Sequence, residues 1–165
     1  MLKDNDKIID DDLHIAEKFI KYLNKTYNKD FVLPFHPKED NSIDALTHRE
    51  SNPQEMLTIQ IVKSDFNGWE ALGKEGIYIV SRDRSEKILD TIVNPISHKS
   101  NRYSPDFKRD LILLLHGWWT VDEDVLNYFK NNCLDSFFRL QKTGFKEIWF
   151  VSERWDGPIY RLWPY

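Results

Sequence analysis

Met56-Leu57-Thr58-Ile59-Gln60-Ile61-Val62-Lys63 is the stretch on which the fold turns. Its β-branched residues have restricted χ1 angles and pack well on a pleated surface, and the turn sequence Ser51-Asn52-Pro53-Gln54 stands just ahead of it. A strand here places Thr58, Gln60 and Val62 on one face and Ile59, Ile61 and Lys63 on the other. Asp110 to His116 predicts a second strand, whose near-continuous apolar run suits burial on both sides.

Outward from these two, Lys146 to Ser152 and Ile159 to Trp163 read as further strands. Ser42 to His48 alternates weakly and reads as a strand. Ile77 to Val80 reads as a short one, beyond the loop signals Asn67-Gly68 and Gly73 to Gly76. Phe31-Val32-Leu33 is a short strand stopped by Pro34 and Pro37. Three helices are expected. Asp10-Asp11-Asp12 opens the first, with acidic residues at its positive end and Leu13, Ala16, Phe19, Ile20, Leu23 and Tyr27 along one stripe, and Asn28-Lys29-Asp30 ends it. The second runs from about Arg82 to Tyr103 with a kink or break at Pro95. Thr120-Val121-Asp122-Glu123 has the spacing of a capping box and opens the third, to about Leu140. Helices separated by strands in this order predict an α/β domain with a mixed central sheet flanked by helices on both faces.

A chain of 165 residues corresponds to one domain, and 41% hydrophobic with 14% aromatic residues is ample for a core. The single cysteine, Cys133, forms no internal disulfide, which fits a reducing, cytoplasmic setting. The longest apolar run, Leu111 to Leu115, falls far short of the ~18–20 residues of a membrane span, and the acidic N-terminus is unlike a secretory signal. Net charge is −4 without any Lys/Arg block, so the global footprint of a nucleic-acid binder is missing, although a local groove can still be basic.

Polar residues on otherwise apolar elements are the candidates for chemistry. Asp44 lies between Ile43 and Ala45, and Gln60 between Ile59 and Ile61. Each needs partners, because an unpaired buried polar group costs roughly 1–3 kcal/mol. A core amide satisfied by its neighbours is an equally good account of Gln60, and a strand-end lysine reaching water is the plainer account of Lys63. On a helical wheel Lys99 falls between Ile88 and Ile92, with Tyr103 a turn further on, so it either snorkels or points into a polar cavity. Glu17 borders the stripe of the first helix, where a solvated flank is the plainer reading.

Ser42-Ile43-Asp44-Ala45-Leu46, the stretch Leu57 to Lys63, and His98-Lys99-Ser100-Asn101-Arg102-Tyr103 followed by Leu111 to Leu115 together resemble the PD-(D/E)XK nuclease superfamily. The resemblance covers about residues 10–116 and implies a restriction-endonuclease-like αβββαβ core, with a C-terminal helix and two strands added over 120–165. It implies a catalytic set of Asp44, Gln60, Lys99 and Lys63. Asp44 matches the family's metal-binding aspartate. The (Glu/Asp)-x-Lys triplet is where the sequence departs: Gln60 at the lysine position leaves Thr58 for the second carboxylate, and Lys63 there leaves Ile61. Gln60 is preferred, because a mid-strand amide needs explaining. Glu17 would then join Asp44 on Mg²⁺ or Mn²⁺, with Glu50 and Glu55 as weaker substitutes. The implied activity is metal-assisted hydrolysis of nucleic-acid phosphodiesters, with Gln60 or Lys99 orienting water or holding phosphate. Domains of this kind often pair, so a homodimer is expected.

The rival reading is a non-catalytic domain of the same fold, favoured by the missing carboxylate and the acidic charge. It would bind a partner or nucleic acid, and Trp118-Trp119, Trp155, Trp163 and Tyr165 would supply a contact surface if they are not simply core. Leu113-Leu114-Leu115-His116-Gly117 imitates the oxyanion-hole strand of α/β-hydrolases, but no nucleophile elbow accompanies it. The five histidines lack zinc-site spacing and there is no glycine-rich phosphate loop.

Overall fold

The strand over 56–63 forms as expected and becomes the second of five in one sheet. The computed structural model describes residues 4–38, 42–64, 92–117, 140–154 and 156–164. In chain order the elements are α1 (Asp4–Tyr27), β1 (Ala45–His48), β2 (Met56–Lys63), helical residues 92–100 (α2), α3 (Pro105–Lys108), β3 (Leu111–Gly117), β4 (Glu147–Ser152) and β5 (Ile159–Trp163). The spatial order follows the chain, β1-β2-β3-β4-β5. The β2, β3 and β4 strands are parallel, and β1 and β5 are antiparallel edges. The sheet is therefore mixed, as predicted. Beyond β1 the chain at 31–35 adds only two bridges, Phe31 to Arg49 and Phe35 to Leu46, both antiparallel. Pro34 lacks the N–H that a continuous ladder needs there.

Two cores follow from the period of two. Ile59, Ile61, Ile112, Leu114, Trp149 and Val151 point to one face, where Ile15, Ala16, Phe19 and Ile20 of α1 cover them. Leu111, Leu113, Leu115, Ile148 and Phe150 point to the other, under Ile92, Val93 and Ile96 of α2 with Leu140 and Phe145. Each buried side chain of this size contributes about 1.5–3 kcal/mol. Because both faces are covered, every residue of β3 is buried, which is why its sequence reads as an unbroken apolar run.

Local chemistry fixes the connections. Asn28, at φ 51°, ends α1 in the left-handed region that asparagine tolerates. The Asn24 side chain then clamps the returning chain: Nδ2 donates to Phe31 O (2.8 Å) and Phe31 N donates to Oδ1 (2.9 Å). Lys108, on the short α3, is buried and reaches back to the end of α2, where Nζ donates to Ser100 Oγ (2.9 Å) and Ser100 O (3.2 Å). A cation on those last carbonyls suits the helix dipole.

Asp30 ties the start of the sheet to the β1–β2 turn. Hydrogen bonds from Ser51 and from Arg49 hold its carboxyl well below the usual carboxylate range. A carboxylate whose folded pKa is depressed stabilises the fold above its unfolded pKa and loses that contribution as pH falls through the folded value. Asp30→Asn is therefore expected to lower stability at neutral pH and to matter progressively less below about pH 4. Urea midpoints of both proteins at several pH values check this; a pH-independent difference would contradict it.

Several expectations are corrected. The first helix begins at Asp4, ahead of Asp10. The strand expected from Ser42 is shorter, so Asp44 stands just before β1. Helix runs unbroken through Pro95 over residues 92–100. The strand expected over 77–80, the glycine loops, the start of the second helix and the capping-box helix up to residue 139 lie outside the described residues.

Candidate functional site

The parallel strands β2 and β3 end side by side, with Lys63 in register with His116. In α/β sheets the carboxyl ends of parallel strands are where the chain leaves space for ligands. Here they floor a cleft of about 800 Å³. Ile61, Val62 and Lys63 come from β2 and His116 from β3, while α1 contributes Asp12. Asn94, Pro95, His98, Lys99 and Arg102 form the wall on the side of α2. Among the described residues cations thus outnumber carboxylates along the lining, although the whole chain is acidic.

Asp44 sits one step outside the Ala45–Ile59 pair, across from Gln60. Its own N–H donates to Ile59 O (3.1 Å), so the ladder ends at this residue. Ile61 is left with backbone groups that β1 no longer reaches, and two side chains meet them. Ile61 N donates to Asp44 Oδ2 (2.7 Å), and Lys99 Nζ donates to Ile61 O (3.2 Å). The ammonium and the carboxylate oxygen are 3.7 Å apart. The lysine singled out by the wheel therefore meets the aspartate singled out by the strand, across the edge of β2.

Gln60 is in the interior. Oε1 accepts from Tyr103 Oη (3.0 Å), while Nε2 is buried without a partner among the described residues. Burial, and then the nearby charge of Asp44, raise the Tyr103 pKa above its ordinary value, so the phenol keeps the proton it donates. Gln60 does not line the cleft, and of its two polar atoms one is met by Tyr103.

Lys63 does reach the cleft, half-exposed, with Nζ 3.9 Å from Glu153 Oε1. The same oxygen lies 2.7 Å from His116 Nδ1, in a buried pair. Glu153 follows β4 directly, and its N–H donates to Gly117 O (2.9 Å), fixing the loop against β3. Lys18 of α1 secures the same loop by donating to Ser152 O and Arg154 O. Burial lowers the Lys18 pKa, against the opposing charge of Asp156.

Glu17 is elsewhere: its carboxylate lies 4.0 Å from Lys21 a turn along the same helix, and it does not line the cleft. Glu55 is paired with Arg49 at 3.2 Å. Among the described residues no three Asp, Glu, His or Cys side chains stand close enough together to hold a metal ion. One Asp44 oxygen is already taken by an N–H and faces an ammonium. Mg²⁺ needs octahedral oxygen ligands with carboxylate support, and with the Lys99 ammonium in place the described donors do not supply them.

Asp12, His98, Arg102 and His116 line the cleft, and Glu153 pairs with two of its lining residues, but none of the five is singled out as a site residue by its sequence position. The available signal is His116, a titratable residue closing the most apolar strand. Among the described residues no helix is long and apolar enough to cross a membrane. No protein-family model matches the chain, and neither a curated protein nor a solved structure matches it.

Proposed function

We propose that this protein binds the phosphodiester backbone of nucleic acid in the cleft at the carboxyl ends of β2 and β3, as a nuclease-like domain that acts by binding. The observation that carries the reading is the cleft lining, in which, among the described residues, Lys63, Lys99 and Arg102 stand with His98 and His116, against Asp12 in the lining and Asp44 and Glu153 beside it. Phosphate contacts need cations spaced along a groove, and a chain of net charge −4 can supply them locally. The order of elements supports a restriction-endonuclease-like core: helix, the bridging segment 31–35, two strands, a helix, and a strand parallel to the second of those strands. The donor set around Asp44, with an ammonium where a metal would sit, favours binding over hydrolysis.

Fluorescence anisotropy with labelled single- and double-stranded DNA and RNA tests the reading. Affinity should fall as salt rises, and Arg102→Ala should weaken all sequences alike and lower the salt slope by about one. No binding at low salt would end the proposal. Incubation of the same strands with Mg²⁺ or Mn²⁺ decides between binding and hydrolysis. Cleavage by the wild type that Asp44→Ala abolishes would make it a nuclease, and intact strands in both support a binding module.

A further inference from the structure

Lys99 crosses from α2 to the edge of β2, where its ammonium lies 3.7 Å from the Asp44 carboxylate and 3.2 Å from the Ile61 carbonyl oxygen. A carboxylate oxygen and a backbone carbonyl oxygen beside an open cleft are the donors a hard divalent cation takes, completing its shell with water and phosphate oxygens. In this chain the ammonium stands among them. A lysine has three N–H donors, and Lys99 itself lines the cleft, so a donor can turn toward a bound anion. A divalent ion brought to the same two oxygens would meet the ammonium at short range, and like charges there exclude one another.

We infer that Lys99 is the resident cation of this site: its ammonium holds the Asp44–Ile61 pair in place of a divalent metal and offers an N–H to a phosphate oxygen, so that anion binding needs no metal. The phosphate half rests on the reading of the cleft given above, and the exclusion of metal does not. The geometry has three consequences. Chelators leave binding intact. Removing the ammonium opens two oxygen ligands to a metal. Removing Asp44 as well closes the metal site again.

Calorimetric titration of Mn²⁺ into the intact chain separates these states. The wild type should show no saturable site, Lys99→Ala should gain one with an association constant at least about tenfold above the wild-type limit, and Lys99→Ala with Asp44→Asn should lose it. A folded Lys99→Ala protein that takes up no Mn²⁺ overturns the inference, as does a wild-type Mn²⁺ site that Asp44→Asn removes. If Lys99→Ala lacks a cooperative thermal transition, the wild type decides alone. Equal affinity for a labelled oligonucleotide in EDTA and in Mn²⁺ supports the inference, and a rise of about tenfold with Mn²⁺ overturns it. An oligonucleotide that does not bind under either condition removes the phosphate half and the cleft reading together, while the Mn²⁺ titrations still judge Lys99 separately.

Discussion

Gly157→Ala is expected to lower stability by about 1–3 kcal/mol and, with it, affinity for oligonucleotides. A Cβ at this position would stand closer than 3.0 Å to both Oγ and Cβ of Ser152 and 3.1 Å from Arg154 Cβ. Neither neighbour can retreat without cost. Ser152 is fully buried at the end of β4, and the turn is closed by Gly157 N to Arg154 O (3.0 Å) and Ser152 N to Pro158 O (3.1 Å). Relief must come from displacing the 152–158 loop. That loop carries Glu153, whose carboxylate holds His116 and faces Lys63, so the damage reaches the cleft. A loss of ~2 kcal/mol would lower Tm by about 4–8 °C in a domain of this size. Met56→Ala, at a half-exposed strand end, should stay within about 0.5 kcal/mol and serves as the control. A Gly157→Ala protein with wild-type Tm would show that the loop has space that this geometry denies it.

The sheet is legible in the sequence because its signals are local. β2 and β5 coincide with the expected ranges, since β-branched and aromatic runs bounded by turn residues leave few alternatives for the chain. The mixed character of the sheet is implied by the order of helices and strands. Segment 31–35 looks more strand-like in sequence than it is, because apolar residues suggest pairing while Pro34 withholds the hydrogen bond. Lys99 is visible as a cation in an apolar stripe, and the structure gives it the polar surroundings that such a position demands. Lys108 is not visible: in the sequence it is one more charged residue in a polar stretch, and only the packing of α3 against the end of α2 buries it. His116, Glu153 and Lys63 meet because β2, β3 and β4 end at one level, and α1 passes beside them with Asp12 in the cleft lining. No periodicity within a single element encodes that meeting, which depends on strand order and register. The match of Glu17 to a metal ligand comes through the family resemblance alone, and nothing in its own surroundings, a partner one turn away on the helix, points toward the cleft.

Asp44→Ala is expected to reduce stability by ~1–3 kcal/mol while leaving anion binding at least as tight as in the wild type. The stability loss comes first from Ile61 N–H, which donates to Asp44 Oδ2 at 2.7 Å at a position that β1 no longer reaches. The charge left on Lys99 adds to it, because a side chain only 17% exposed loses its nearest counter-charge. Asp44→Asn should be milder, since the amide oxygen still accepts from Ile61. A double-mutant cycle with Lys99→Met should give a coupling of about 0.5–2 kcal/mol. Binding is expected to move the other way. In the wild type Asp44 partly neutralises Lys99, and without it the full positive charge faces a bound phosphate. An unpaired ammonium attracts an anion more strongly, so affinity for an oligonucleotide measured in EDTA should rise by about two- to tenfold. With Mn²⁺ in place of EDTA a metal ligand behaves in the opposite sense, because its removal releases the ion that bridges protein to phosphate. Loss of stability with a gain of affinity therefore identifies Asp44 as the anchor of Lys99, whereas loss of both together would return it to the role of a metal-holding carboxylate.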